Sequence, residues 1–221
     1  MSFKALIPAL AVLATAGSSV AGTNFLNNAS FENPLGFDFS NPSNWNGFFG
    51  GPAGTFLQAF NDTGAAARSG DRALVTTIRG VPGVTDGFNA FTGHVQIVTG
   101  LTAGSSYELS VWARGNPTVL DGAEYRIEWQ NASGVEIGRV NTEIHPFLTG
   151  DYQRFAITAV APEGATRAAV VFAVQSFFHT GNIADTSVAW DDASLTVIPA
   201  PASLGLLAMA GLTGLRRRRR R

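Results

Sequence analysis

Trp112, Arg114, Arg126, Glu128 and Gln130 are the residues whose types and spacing best suit binding chemistry. They come from two short runs, SYELSVWARG (106–115) and AEYRIEWQNA (123–132). Along an extended strand successive side chains point to opposite faces. In the first run Leu109, Val111 and Ala113 share one face, and Glu108, Ser110, Trp112 and Arg114 take the other. In the second, Tyr125, Ile127 and Trp129 oppose Glu124, Arg126, Glu128 and Gln130. The apolar sets are natural core, so the five polar and aromatic residues are expected together on one outer sheet surface. An indole ring gives the C–H face of a sugar a flat apolar platform, while guanidinium, carboxylate and carboxamide groups bond its hydroxyls. The chemistry that such a face could do is carbohydrate binding. The competing reading is a mixed surface on which the charges merely pair and Trp112 packs under a loop.

Catalytic chemistry has less to build on. The chain has no cysteine, and its histidines, His94, His145 and His179, stand singly without zinc-type spacing. No G-x-S-x-G nucleophile motif occurs. Asp191 and Asp192 are adjacent in a strand-like run, which turns them apart and spoils them as a hydrolytic pair. The expectation is a non-enzyme. Aromatic residues in the Gly-rich stretch Asn44–Gly51 (NWNGFFGG) offer another recognition element, although Trp45 reads more readily as core.

The elements that must carry these residues are strands. DRALVTTIRG (71–80), GHVQIVTGL (93–101), DYQRFAITAVAP (151–162), TRAAVVFAVQS (166–176) and SVAWDDASLTVI (187–198) are short, rich in β-branched and aromatic residues, and bounded by turn formers. No stretch between residues 23 and 198 sustains a helical apolar period. The fold class is therefore all-β, a jelly-roll β-sandwich. Lys4 and the six terminal arginines hold seven of the 15 basic residues, leaving eight against all 16 acidic ones, a net −8 for the body. An acidic body repels polyphosphate, which argues against nucleic acid.

Four motifs resemble the galactose-binding-like jelly roll of carbohydrate-binding modules of the family 4, 9 and 22 type. They are Asn27-Asn28-Ala29-Ser30-Phe31-Glu32, the run Gly100–Ala113 (GLTAGSSYELSVWA), Gly150–Phe155 (GDYQRF) with Ala161-Pro162, and Trp190–Leu195 (WDDASL). Together they cover residues 27 to 195. The resemblance implies a structural calcium ion held by Glu32, by the loop around Asp71 (Ser69–Leu74), and by Asp191 or Asp192. Hard oxygens suit calcium, and a metal clasp would offset the missing disulfides. Between the two aspartates, Asp191 shares parity with Ala193, Leu195 and Val197, so it is expected to face inward, where a carboxylate needs a partner.

The two ends read as targeting segments. Residues 1–22 have one positive charge (Lys4), an apolar run and a Ser19-Val20-Ala21 cleavage pattern, the layout of a signal peptide. Residues 199–221 hold Pro199-Ala200-Pro201, fourteen uncharged residues (202–215) and the arginines Arg216 to Arg221. This short apolar run before an Arg cluster resembles the PEP-CTERM sorting signal of bacterial surface and exopolysaccharide-associated proteins, with Ala at 200 where the usual motif has Glu. That resemblance implies processing by an exosortase-type membrane protease and only transient membrane contact. The expected domain is 23–198, in an exported cell-surface or matrix protein that binds polysaccharide without turning it over. The alternatives are a structural envelope protein that uses the sandwich for protein contacts, and, further off, an accessory glycan hydrolase or lyase.

Overall fold

The computed structural model describes residues 22–35, 41–51, 56–63, 67–79, 90–115, 122–176 and 186–199. The expected signal peptide (1–22) and sorting signal (199–221) lie outside these residues except for Gly22 and Pro199. Among the described residues there are ten strands: β1 (Asn46–Gly50), β2 (Phe56–Thr63), β3 (Arg72–Arg79), β4 (Ala90–Thr99), β5 (Ser106–Gly115), β6 (Gly122–Gln130), β7 (Glu136–Glu143), β8 (Gln153–Val160), β9 (Arg167–Ser176) and β10 (Thr186–Ile198). They form two antiparallel five-stranded sheets, ordered β1-β4-β9-β6-β7 and β2-β3-β10-β5-β8. This is the jelly-roll sandwich that the alternating runs predict. Among the described residues no helix is long and apolar enough to cross a membrane.

The alternation that builds the strands also builds the core. Leu109, Val111 and Ala113 of β5 meet Tyr125, Ile127 and Trp129 of β6 across the sandwich, all buried. An aromatic row runs through the centre: Phe31 to Trp45 at 5.3 Å, Trp45 to Phe172 at 5.4 Å, and Phe172 to Trp190 at 5.4 Å between ring centroids. The buried indole N–H groups still need acceptors. Trp190 Nε1 donates to Thr76 Oγ1 at 2.8 Å, and Trp45 Nε1 donates to the Asn28 carbonyl at 3.2 Å.

The N-terminal segment is tied to the last strand. Phe25 N–H donates to the Leu195 carbonyl at 2.9 Å, and the Asn24 side chain bonds both Ala193 O and Leu195 N. Gly22 ends up against Val197, with its would-be Cβ 3.2 Å from the Val197 carbonyl oxygen. Gln96, on the core side of β4, holds the same segment by exchanging two bonds with the Asn27 backbone at 2.7 and 2.8 Å.

Two sequence expectations fail on topology. Consecutive strands β5 and β6 do not pair; each belongs to a different sheet. Sequential strands are often neighbours, but here the chain crosses the sandwich between them. Trp112 and Arg114 therefore lie on the outer face of one sheet, while Arg126, Glu128 and Gln130 lie on the outer face of the other. The second failure concerns Asp191. Asp192 adopts φ 46° and the pairing with β5 slips between Asp191 and Ser194, a β-bulge. The bulge inverts the parity of β10. Trp190 faces the core and Asp191 sits opposite Trp112 on the outer face, while beyond the bulge Ala193 and Leu195 face the core. Asp191 is fully buried all the same, because a loop covers it.

Candidate functional site

The loop that covers Asp191 is Arg68–Asp71, leading into β3. Asp191 Oδ2 accepts the backbone N–H groups of Arg68 (2.8 Å) and Ser69 (3.1 Å), and its Oδ1 accepts that of Asp192 (2.7 Å). Burial pushes the Asp191 carboxyl above its usual pKa, with these three amide bonds pulling it back. Asp192 accepts Ser69 Oγ–H at 2.8 Å and pairs with the Arg68 guanidinium at 2.5 Å. From the other side Glu32 accepts the N–H groups of Asp71 (3.1 Å) and Arg72 (3.2 Å). Gly70, at φ 61°, is required here, since a Cβ would fall 2.3 Å from Glu32 Oε1. Glu32, Asp71 and Asp191 are thus brought to one loop, as the resemblance implies. Asp71 enters through its backbone, however, and the loop turns amide N–H groups toward both carboxylates, so hydrogen bonds close the clasp.

For calcium, the donors remaining are the lone pairs not already used, two on Glu32 and one on Asp191, which are hard oxygens of the right kind. No group of three or more His, Asp or Glu side chains gathers among the described residues. Trp112 and Arg114 belong to the same surface and are engaged within it. The Arg68 guanidinium lies 3.6 Å over the Trp112 ring, and that of Arg114 lies 5.1 Å from the Tyr152 ring. One stacking face of Trp112 is therefore occupied by the protein itself.

The other sheet presents a groove. A cavity of about 300 Å³ is lined by Phe48, Phe91, Ala173, Gln175, Glu124 and Arg126. The strand register accounts for it. One row across the sheet reads Phe48, Gly93, Ala173, Glu124, Glu143, and the next reads Gly50, Phe91, Gln175, Gly122. Each ring stands opposite a glycine and lies down over it. A Cβ on Gly93 would fall 2.7 Å from Phe48 Cζ, and one on Gly50 would fall 2.5 Å from Phe91 Cζ. The two rings sit 6.3 Å apart, tilted at 42° to each other, each with its tip folded over the opposite glycine. Ala173 gives a low floor. The far wall is Arg126, held between the carboxylates of Glu124 and Glu128, the latter at 2.7 Å. Glu128 is also 3.7 Å from Arg139, which Glu136 holds. From β1 to β6 the row spans three strand spacings, about 14 Å.

Of the sequence candidates, Arg126 lines this groove and Glu128 fixes it. Gln130 lies further along β6, opposite Arg167, with Oε1 buried and unbonded. Glu124, Phe48, Phe91 and Gln175 were missed. Phe48 stood in the Gly-rich aromatic stretch that the sequence marks for recognition, while Trp45 of the same stretch is core. Pairing of Phe48 with Gly93, and of Phe91 with Gly50, is a long-range register and has no local signal.

No protein-family model matches the chain, and no curated protein is similar to it in sequence. Among solved structures it is similar to the enzymatically active domain of tailspike protein 4 of bacteriophage CBA120 (19% identity, TM-score 0.55), matching over 79% of this chain but only 21% of that one. It is also similar to TmCBM61 solved with β-1,4-galactotriose (20% identity, TM-score 0.48; 80% of this chain and 99% of that one). A third similarity is to a family 4 carbohydrate-binding module (20% identity, TM-score 0.47; 78% and 99%). At 19% identity the likeness to the tailspike domain shows the fold alone.

Proposed function

We propose that this chain is a non-catalytic polysaccharide-binding protein whose groove on the β1-β4-β9-β6-β7 sheet takes a short length of extended glycan. One observation carries the reading: two phenyl rings folded over glycines, facing a half-buried Glu–Arg–Glu set across a low alanine floor. Aromatic rings take the C–H faces of sugars, and fixed planar polar groups at the other wall take hydroxyls. The rings and their partners are preorganised, so little ordering entropy opposes binding.

The test is a binding screen of the full chain against neutral oligosaccharides, read by calorimetry. Phe91→Ala should weaken binding by roughly tenfold, the loss of one stacking contact, while Trp112→Phe, on the opposite face, should leave it unchanged. Binding that follows Trp112 and ignores Phe91 would move the site to the other sheet. Release of shortened glycan would make the chain an enzyme.

Three further parts of the proposal rest on the resemblances. Export uses residues 1–22, and sorting uses Pro199, Pro201 and the cluster from Arg216, with an exosortase-type protease as partner and exopolysaccharide at the cell surface as destination. The mass of the mature protein tests both ends. Calcium has a supporting role: Glu32 and Asp191 would hold it, adding hard-oxygen coordination to a clasp that hydrogen bonds already close.

A further inference from the structure

The two flanks of the sandwich are closed differently. On one flank β1 and β2, the edge strands of the two sheets, lean against each other. On the other flank the edges are β7 and β8, which make no comparable contact. The core shows through on that side: Val140, Phe155 and Ile157 pack against it but stay half-buried. Val135, Ile137, Phe147 and Val160 also belong to β7, β8 or the segments beside them. They are four of the eight large apolar side chains exposed among the described residues.

Only one of these two edges is guarded. A bulge breaks the register of β7 beside Trp129 and Gln130, and Glu136, Arg139 and Glu143 line it with exposed charge. Natural sheets use these devices to refuse a further strand. The other edge, β8 (QRFAITAV), has neither. Its eight residues keep one unbroken register with β5, without glycine or proline, and among the described residues no strand pairs with its outer edge. Its single charge, Arg154, is neutralised by Glu108 of the neighbouring strand.

We infer that β8 is a pairing edge whose occupant is the same strand of a second copy, antiparallel about a two-fold axis through Ala156. The strand is complementary to itself in this register. On the outer face Arg154 meets the partner's Thr158, and the two alanines meet on the axis. On the core side Phe155 meets the partner's Ile157 on both sides of the axis. No like charges are opposed, and the half-open apolar pair is shut away from water. A contact of this kind closes after two copies. The axis crosses the sandwich from face to face, so both β1-β4-β9-β6-β7 faces look the same way and offer two grooves to one polysaccharide. The dimer itself does not depend on the groove binding glycan.

Sedimentation velocity on the full chain over a concentration series tests this. Reversible doubling of the mass is expected. Ala156→Lys sets two like charges on the axis at an exposed position, and should abolish the doubling while the circular-dichroism spectrum stays native. The chain has no cysteine, so a single thiol can report the register. Opposed Cα atoms of an antiparallel pair lie about 4.5–5.5 Å apart, within disulfide reach. On mild oxidation Ala156→Cys should therefore cross-link at least tenfold faster than Ala103→Cys, in an exposed turn. A single-chain mass at every concentration overturns the proposal. So does a dimer that survives Ala156→Lys, which would put the contact elsewhere, or equal cross-linking of the two cysteine variants, which would mean random collision. Loss of the dimer in Ala156→Lys without a cross-link in Ala156→Cys would mean that another segment, such as the apolar run 202–215, lies along β8, and it also overturns the two-fold.

Discussion

The imidazole of His94 lies wholly inside the sandwich, its Nε2 paired with Asn41 Oδ1 at 2.9 Å and its Nδ1 without a hydrogen-bond partner. Burial pushes its pKa from 6.5 down to about 4. The folded value is the depressed one, so between these limits the unfolded chain takes a proton that the native state refuses. Stability is complete above pH 6.5 and drains away as the pH falls toward 4, by up to about 3 kcal/mol. Urea midpoints measured from pH 7 to 4 should show this slope, and His94→Gln should flatten it; a slope that survives the substitution removes His94 as its source. Single residues were also where the sequence misled. Asp191 reads as inward-facing because strict alternation links it to Ala193 and Leu195, but one αL residue, Asp192, breaks the count. A non-glycine bulge has no signature in the alternation pattern. That Asp191 needs a partner was legible; where it finds one was not.

At the scale of elements, the rings of the groove depend on β4 lying close to both neighbours. A Cβ at Gly93 would meet the Phe172 carbonyl oxygen at 2.5 Å and Ala173 Cβ at 2.9 Å as well as Phe48. Gly93→Ala must therefore push β4 away from β9 or lift the Phe48 ring, costing about 1–3 kcal/mol and weakening glycan binding together with stability. Paired melting and calorimetry on this variant should show both losses; a destabilised protein with undiminished affinity would mean that the rings are not the platform. Seven of the ten strands were visible as apolar alternation. Of the other three, β1, β2 and β7, two were hidden for separate reasons. β1 (NGFFG) has two glycines in five residues and looks like a loop, and β7 (EIGRVNTE) is a polar edge strand with little core to advertise it. The sheet to which each strand belongs is not written in local pattern at all, so β5 and β6 read as neighbours.

The whole molecule holds its shape without a cysteine, through its aromatic core and the loop clasped between Glu32 and the aspartates of β10. If calcium adds to that clasp, saturation at about 100 times the dissociation constant contributes about 2.7 kcal/mol, and its removal lowers the melting midpoint of a chain this size by about 5–10 °C. Melting with excess calcium and with EDTA measures this directly, and coincident curves would eliminate the metal. The contact between Gly22 and the final strand has a separate consequence. Since both ends of the body leave from one pole, the polypeptide is nearly a closed ring, and a short Gly-Ser bridge could splice residue 199 to residue 22. New ends cut at the Asn131–Gly134 turn, where Asn131 and a glycine at φ 80° close the hairpin, should give a circular permutant with the native circular-dichroism spectrum. A permutant that fails to fold would show that assembly needs the N-terminal segment to dock in its natural order.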